Sequence, residues 1–123
     1  MARILVIEDE PHVQEVVKQF LELAGHQVAV ASNGQEGIRA CRERPFDLIV
    51  TDLIMPVKDG IETILDLKTE FPEIKAIAIS GGGLVGPETY LELAESFGAN
   101  RLLKKPFKKE DLLEAVNDVL GSE

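Results

Sequence analysis

Residues Asp47 to Gly60 read "DLIVTDLIMPVKDG". Leu48 to Thr51 are strand formers, and they run straight into an acid, Asp52. Buried strands commonly end in turn residues, so Asp52 is either a loop cap or a reacting group. The choice depends on what else gathers at the same end of the sheet.

Outward from this strand the chain alternates between two periodicities. "RILVI", Arg3 to Ile7, is a continuous apolar run suited to a strand buried on both faces. Pro11 opens a helix in its first turn, where a missing N–H costs little. Val13, Val16, Val17, Phe20 and Leu21, with Ala24, follow the spacing of one apolar helix face, and Gly25 ends it. "HQVAVA" reads as the second strand. Asn33 then caps a helix with Glu36 three residues on, and Pro45 stops that helix after about Arg44. "FDLIVT" is the third strand, and a helix from about Ile61 to Glu70 closes at Pro72. "IKAIAIS" is the fourth strand, Pro87 opens a fourth helix ending near Phe97-Gly98, and "RLLK" is a short fifth strand. Lys108 to Leu120 form the last helix, with Leu112, Leu113, Val116, Val119 and Leu120 inward. Repeated βα units of this length predict an α/β fold. Its five-stranded parallel sheet has order 2-1-3-4-5 and helices on both faces.

A chain of 123 residues suits one domain with one core, and 45% hydrophobic composition argues against disorder. No apolar run approaches the roughly 20 residues of a membrane span, and "MARILVIEDE" lacks the order of a signal peptide. Cys41 is the single cysteine, so no internal disulfide forms, which fits a cytoplasmic setting. No histidine or second cysteine accompanies it, and it reads as structural. The net charge of −9 argues against a nucleic-acid surface. The densest basic cluster, Lys104, Lys105, Lys108 and Lys109, runs into Glu110 and Asp111 and reads as a solvated helix start.

Ligands of such sheets bind beyond the carboxyl ends of the strands. Strand one delivers Glu8, Asp9 and Glu10 there; strand three delivers Asp52; strand four delivers Ser80; strand five delivers Lys104 and Lys105. Crowded carboxylates raise one another's pKa, and a hard divalent cation removes that cost. Mg2+ suits oxygen ligands beside phosphate oxygens. A carboxylate is a competent nucleophile toward phosphorus, and a metal, a lysine and a hydroxyl together neutralise the transferring group. Singly, each residue is ordinary turn chemistry. Together they describe a phosphoryl site.

The whole chain resembles the receiver domain of two-component response regulators, in its stand-alone CheY-like form. The acid pair Glu8-Asp9, "DLIMPVKDG" from Asp52 to Gly60, Ser80 after a buried strand, and "KPF" from Lys105 to Phe107 carry the resemblance. It implies that Asp52 is the phosphoacceptor and that Mg2+ is held by Asp9, Asp52 and the Ile54 carbonyl, with Glu8 acting through water. Ser80, Gly81 and Lys105 then contact the phosphoryl group, while Lys104 points elsewhere. Met55-Pro56 and Gly60 match the family's loop: Pro56 fixes a turn, and Gly60 permits a backbone that other residues resist. The Lys105-Pro106 bond resembles the family's cis peptide, which aims the lysine inward. A histidine kinase or histidine phosphotransfer protein is the implied donor, usually docking on the first helix, whose outward side reads as Gln14, Lys18 and Glu22. A further protein is the implied target. Residues 1–123 are expected to form one receiver domain, a monomer without an output domain, that turns over no external substrate.

The sequence departs from the family in four places. Glu8 stands where Asp is commoner, and Gly81 where Ala is usual. Leu102 replaces the aromatic residue that swings inward with the hydroxyl residue, here Ser80. A switch through Ser80 and Leu102 then needs another moving part, and the loop containing Gly81, Gly82, Gly83 and Gly86 is the natural one. Ile54 and Gly82 occupy the positions that often orient the attacking water, and neither side chain can hydrogen-bond, so slow loss of the phosphoryl group is expected.

Other classes fit less well. A Mg2+-dependent phosphatase wants a second acid where Ile54 stands. A nucleotide or flavin binder wants a glycine-rich loop where "EDEP" stands. A receiver that docks partners without phosphorylation, or one excised from a longer regulator, is the alternative. His12 beside the acids reads as an exposed helix-start residue, and His26 as a turn residue. Tyr90, Leu93, Ala94 and Phe97 read as sheet-packing. Leu91 with Leu102 is a candidate docking patch.

Overall fold

The structure is a computed structural model of the chain and describes residues 2–53, 60–80 and 98–121, Ser80 by its backbone alone. In order, these form β1 (Arg3–Ile7), α1 (Pro11–Leu23), β2 (Gln27–Ala31), α2 (Gly34–Glu43), β3 (Leu48–Asp52), α3 (Gly60–Glu70), β4 (Lys75–Ser80), β5 (Arg101–Lys104) and a final helix, here α4 (Lys109–Leu120). The helix expected from Pro87 lies outside the described residues, as do Ile54, Met55, Pro56, the glycines 81–83 and 86, Tyr90, Leu91, Leu93, Ala94 and Phe97.

All the strands are parallel, in the order β2-β1-β3-β4-β5. Side chains alternate across the sheet and split the core in two. Leu5, Ile7, Ile49, Ala76 and Ala78 face one side, where Ile38, Cys41, Ile64 and Leu67 of α2 and α3 cover them. Ile4, Val6, Leu48, Val50, Ile77 and Ile79 face the other, under Val17 and Leu21 of α1 and Leu112, Ala115 and Val116 of α4. Burial on both faces explains why β1 and β3 read as unbroken apolar runs. The edge strand β2 is more open, with Ala29 and Val30 exposed.

Local signals acted where the sequence placed them. Asn33 Oδ1 accepts from the Glu36 N–H at 2.9 Å. Glu36 reaches back to the N–H of Ser32, one residue before the cap. Pro11 occupies the first turn of α1, which closes at Gly25 with φ of 96°. Ala24, expected on the apolar face of α1, is instead its exposed C-cap. By then the chain is turning toward β2 and no longer follows the helical stripe. Lys108 is the N-cap of α4, and its N–H donates to Asp111 at 3.1 Å.

Candidate phosphoryl-transfer site

Register brings the acids together. Ile7 pairs with Thr51, so the next residues, Glu8 and Asp52, emerge side by side at the carboxyl edge. Asp52 pairs with Ile79, and Ser80 pairs with Lys104, which sets the next residue, Lys105, over the same edge. Glu8, Asp9 and Asp52 each offer a carboxylate oxygen, and these oxygens lie within 4.8 Å of one another. Glu8 and Asp52 are buried, whereas Asp9 is exposed.

Lys105 brings a cation to the cluster. Its Nζ lies 3.4 Å from Asp52 Oδ2 and 3.6 Å from Glu8 Oε1. Both distances are long for hydrogen bonds and describe an ammonium shared between two carboxylates. The Lys105-Pro106 peptide is cis, as expected. Lys104 is exposed.

Glu8 is the least comfortable member. It is 2% exposed. Oε2 accepts the Glu10 N–H at 3.2 Å, but among the described residues Oε1 receives no hydrogen bond. Burial first, then the neighbouring charge of Asp52, pushes its carboxyl up to about 7, against the pull of the Glu10 N–H and Lys105. An unsatisfied buried carboxylate oxygen in an all-oxygen acidic cluster fits a hard divalent cation.

Behind Asp52 the backbone is tied down. Leu53 N donates to Ile79 O at 2.9 Å, and Gly60 N donates to Leu53 O at 2.9 Å. The buried Thr51 hydroxyl donates to Asp52 O at 3.0 Å. Gly60 was expected to supply an unusual backbone angle, but it is not among the glycines of positive φ. Its reason is space: a Cβ there would sit 2.1 Å from Asp52 O and 2.7 Å from Leu53 Cα. The third helix begins against the peptide that carries Asp52, and only hydrogen fits between them.

Gln14, assigned to the outward side of the first helix, turns inward. Its Nε2 donates to Glu8 O at 3.0 Å and Ala31 O at 3.2 Å. The apolar periodicity concealed it, because a glutamine between Val13 and Glu15 signals solvent. His12 is exposed and lies outside the acidic cluster. His26 precedes β2, and its Nδ1 accepts the Ala2 N–H at 3.1 Å. Cys41 is buried on the core face of α2, and burial raises its thiol to about 11, in keeping with a structural role. Leu102 is half-buried against the core, and Ser80 ends β4.

A model of the response regulator receiver domain matches residues 4–117. The chain belongs to that family. This receiver domain is 38% identical over 116 residues to the probable C4-dicarboxylate response regulator DctR of Bacillus subtilis; the match covers 93% of the chain but 50% of DctR. Against the protein PilH of Pseudomonas aeruginosa it is 34% identical, covering 98% of the chain and 99% of PilH. The chain thus spans about half of one relative and nearly all of another. The crystal structure of a response regulator receiver domain protein from Clostridium thermocellum superposes with a TM-score of 0.88 at 32% identity, covering 98% of this chain and 95% of that one. Two-component phosphoacceptor function follows from the family. Receiver domains generally bind Mg2+ at an acidic pocket, and Glu8, Asp9 and Asp52 form an acidic cluster here. Receiver domains work with histidine kinases or phosphotransfer proteins and with downstream targets. Among the described residues, no helix is long and apolar enough to cross a membrane.

Proposed function

We propose that Asp52 is the phosphoacceptor of this receiver domain. The observation that carries the assignment is the position of its carboxylate, within 4.8 Å of oxygens of Glu8 and Asp9 and 3.4 Å from the Lys105 ammonium. An Asp52 oxygen attacks the phosphorus of a phosphohistidine. The P–N bond breaks, its electron pair returns to the imidazole nitrogen, and an aspartyl phosphate forms. Lys105 stabilises charge on the phosphoryl oxygens as it leaves its place between the two acids. Mg2+, held by Asp9 and Asp52 with Glu8 acting through water and the Ile54 carbonyl as a further ligand, would neutralise the remaining charge. Ser80 and Gly81 complete the phosphoryl contacts in this reading, and Ser80 with Leu102 forms the switch.

The donor is a histidine kinase or histidine phosphotransfer protein. An apolar groove beside the site supports docking along α1: Val13, Val16, Phe20, Pro106 and Phe107 line it, and Lys105 stands at its edge. The domain then acts by binding a protein target or by passing the phosphoryl group along a relay, and it turns over no external substrate. Residues 1–123 function as one receiver unit.

The test is intact mass after incubation with phosphoramidate, with and without Mg2+, on wild type and Asp52→Asn. A metal-dependent gain of one phosphoryl group, absent from the variant, is expected. A gain that persists in Asp52→Asn refutes the assignment. No gain in wild type that binds Mg2+ favours phosphorylation-independent docking.

A further inference from the structure

We infer that Gln14 is a positioning residue for the metal site, acting through the peptide that joins Glu8 to Asp9. This role rests on the acidic cluster being the Mg2+ site.

Gln14 stands at the start of α1, where its own N–H donates to Glu10 O at 2.9 Å. Its side chain then crosses back over the ends of two strands. One Nε2 hydrogen goes to Glu8 O and the other to Ala31 O. Ala31 O also receives the Glu8 N–H at 3.0 Å. A single amide nitrogen therefore ties the carboxyl end of β1, the carboxyl end of β2 and the first turn of α1 into one unit.

The bond to Glu8 O has the larger consequence. That carbonyl belongs to the Glu8-Asp9 peptide, which is planar, so fixing its oxygen also fixes the direction of the Asp9 N–H and Cα. Both acids hang from this plane. Asp9 is exposed and gains little orientation from packing, so the backbone must supply it. The residue type fits the task. An amide offers two hydrogens on one nitrogen and brings no charge to a cluster that already holds three carboxylates. A carboxylate at this position would face two carbonyl oxygens with no hydrogen to give. Groups that orient metal ligands without touching the metal commonly change affinity about 10- to 100-fold when removed.

The experiment uses Gln14→Met, which keeps the length of the side chain and removes both donors, and Gln14→Glu, which replaces them with acceptors. Mg2+ affinity is measured by calorimetric titration. The Mg2+ concentration for half-maximal phosphorylation by phosphoramidate and the rate at saturating Mg2+ are measured separately, and urea unfolding in EDTA records stability. The expected result is Mg2+ affinity about 10-fold weaker in Gln14→Met and weaker still in Gln14→Glu. The half-maximal Mg2+ concentration rises in parallel, while the saturated rate stays near wild type. Affinity within twofold of wild type in Gln14→Met overturns the role, even if the urea midpoint falls, because a merely structural residue would move only the midpoint. If Gln14→Met does not fold, Gln14→Asn, which keeps the amide but shortens its reach, is judged by the same criterion. Wild type that binds no Mg2+ overturns the metal site itself and this role with it. Wild type that binds, matched by the variants, overturns the role of Gln14 alone.

Discussion

Lys105 Nζ lies 3.4 Å from Asp52 Oδ2, although 53 residues separate the two in the chain. Before any phosphoryl group arrives, the ammonium is already shared between Asp52 and Glu8. It need move only a short way to contact an oxygen of the incoming group. Replacing Lys105 with Ala should slow phosphorylation by phosphoramidate about 10²-fold at saturating Mg2+. Mass spectra over time give the rate, and an unchanged rate would remove Lys105 from the site.

Glu8 makes the metal-free protein sensitive to pH. Its carboxyl is raised from 4.5 to about 7 by burial and then by Asp52. Between those values the folded protein holds a proton that the unfolded chain has released. The contribution is fully present below about pH 4.5 and is lost as pH rises through about 7. In EDTA, Glu8→Gln should therefore remove a loss of up to about 3 kcal/mol between about pH 5 and pH 8. Urea unfolding at the two pH values checks this. The same slope in both proteins would assign it to other groups.

Gly60→Ala should be costly at two levels. A Cβ there meets the carbonyl oxygen of Asp52 at 2.1 Å, so α3 or the end of β3 must shift. We expect a stability loss of at least about 2 kcal/mol in urea, with slower phosphorylation as well, because the displaced peptide carries Asp52. A folded variant with wild-type stability would show that the segment yields freely.

Asn33→Ala tests an element away from the acids. Loss of the hydrogen bond from Glu36 N to Asn33 Oδ1 should cost about 1 kcal/mol without changing the phosphorylation rate. Equal urea midpoints for the two proteins would mean that the cap contributes nothing.

The phosphoryl group should be lost slowly, over minutes or longer, when no phosphatase is present. Ile54 and Gly82 offer no side-chain hydrogen bond to an attacking water. Mass spectra recorded after removal of the donor, with Mg2+ kept present, would measure the decay, and a lifetime of seconds would contradict the expectation.

The described strands and helices, the strand order and the family were legible in one dimension. Unbroken apolar runs such as Arg3–Ile7, helix signals such as Pro11 and Asn33, and the spacing from Glu8-Asp9 through Asp52 to Lys105 are local or linear properties, so they survive in one dimension. What depends on two distant segments meeting was not legible there and emerged with folding. Gln14 reads as a solvent-facing residue until the carbonyls of Glu8 and Ala31 come within reach of its amide. Gly60 reads as a bend until Asp52 O closes the space where a side chain would go. Glu8 reads as an ordinary acid until burial removes water from it and register sets Asp52 beside it. In each case the deciding force is short-ranged — a hydrogen bond, a van der Waals contact, the loss of hydration — and acts only between groups that folding has brought together.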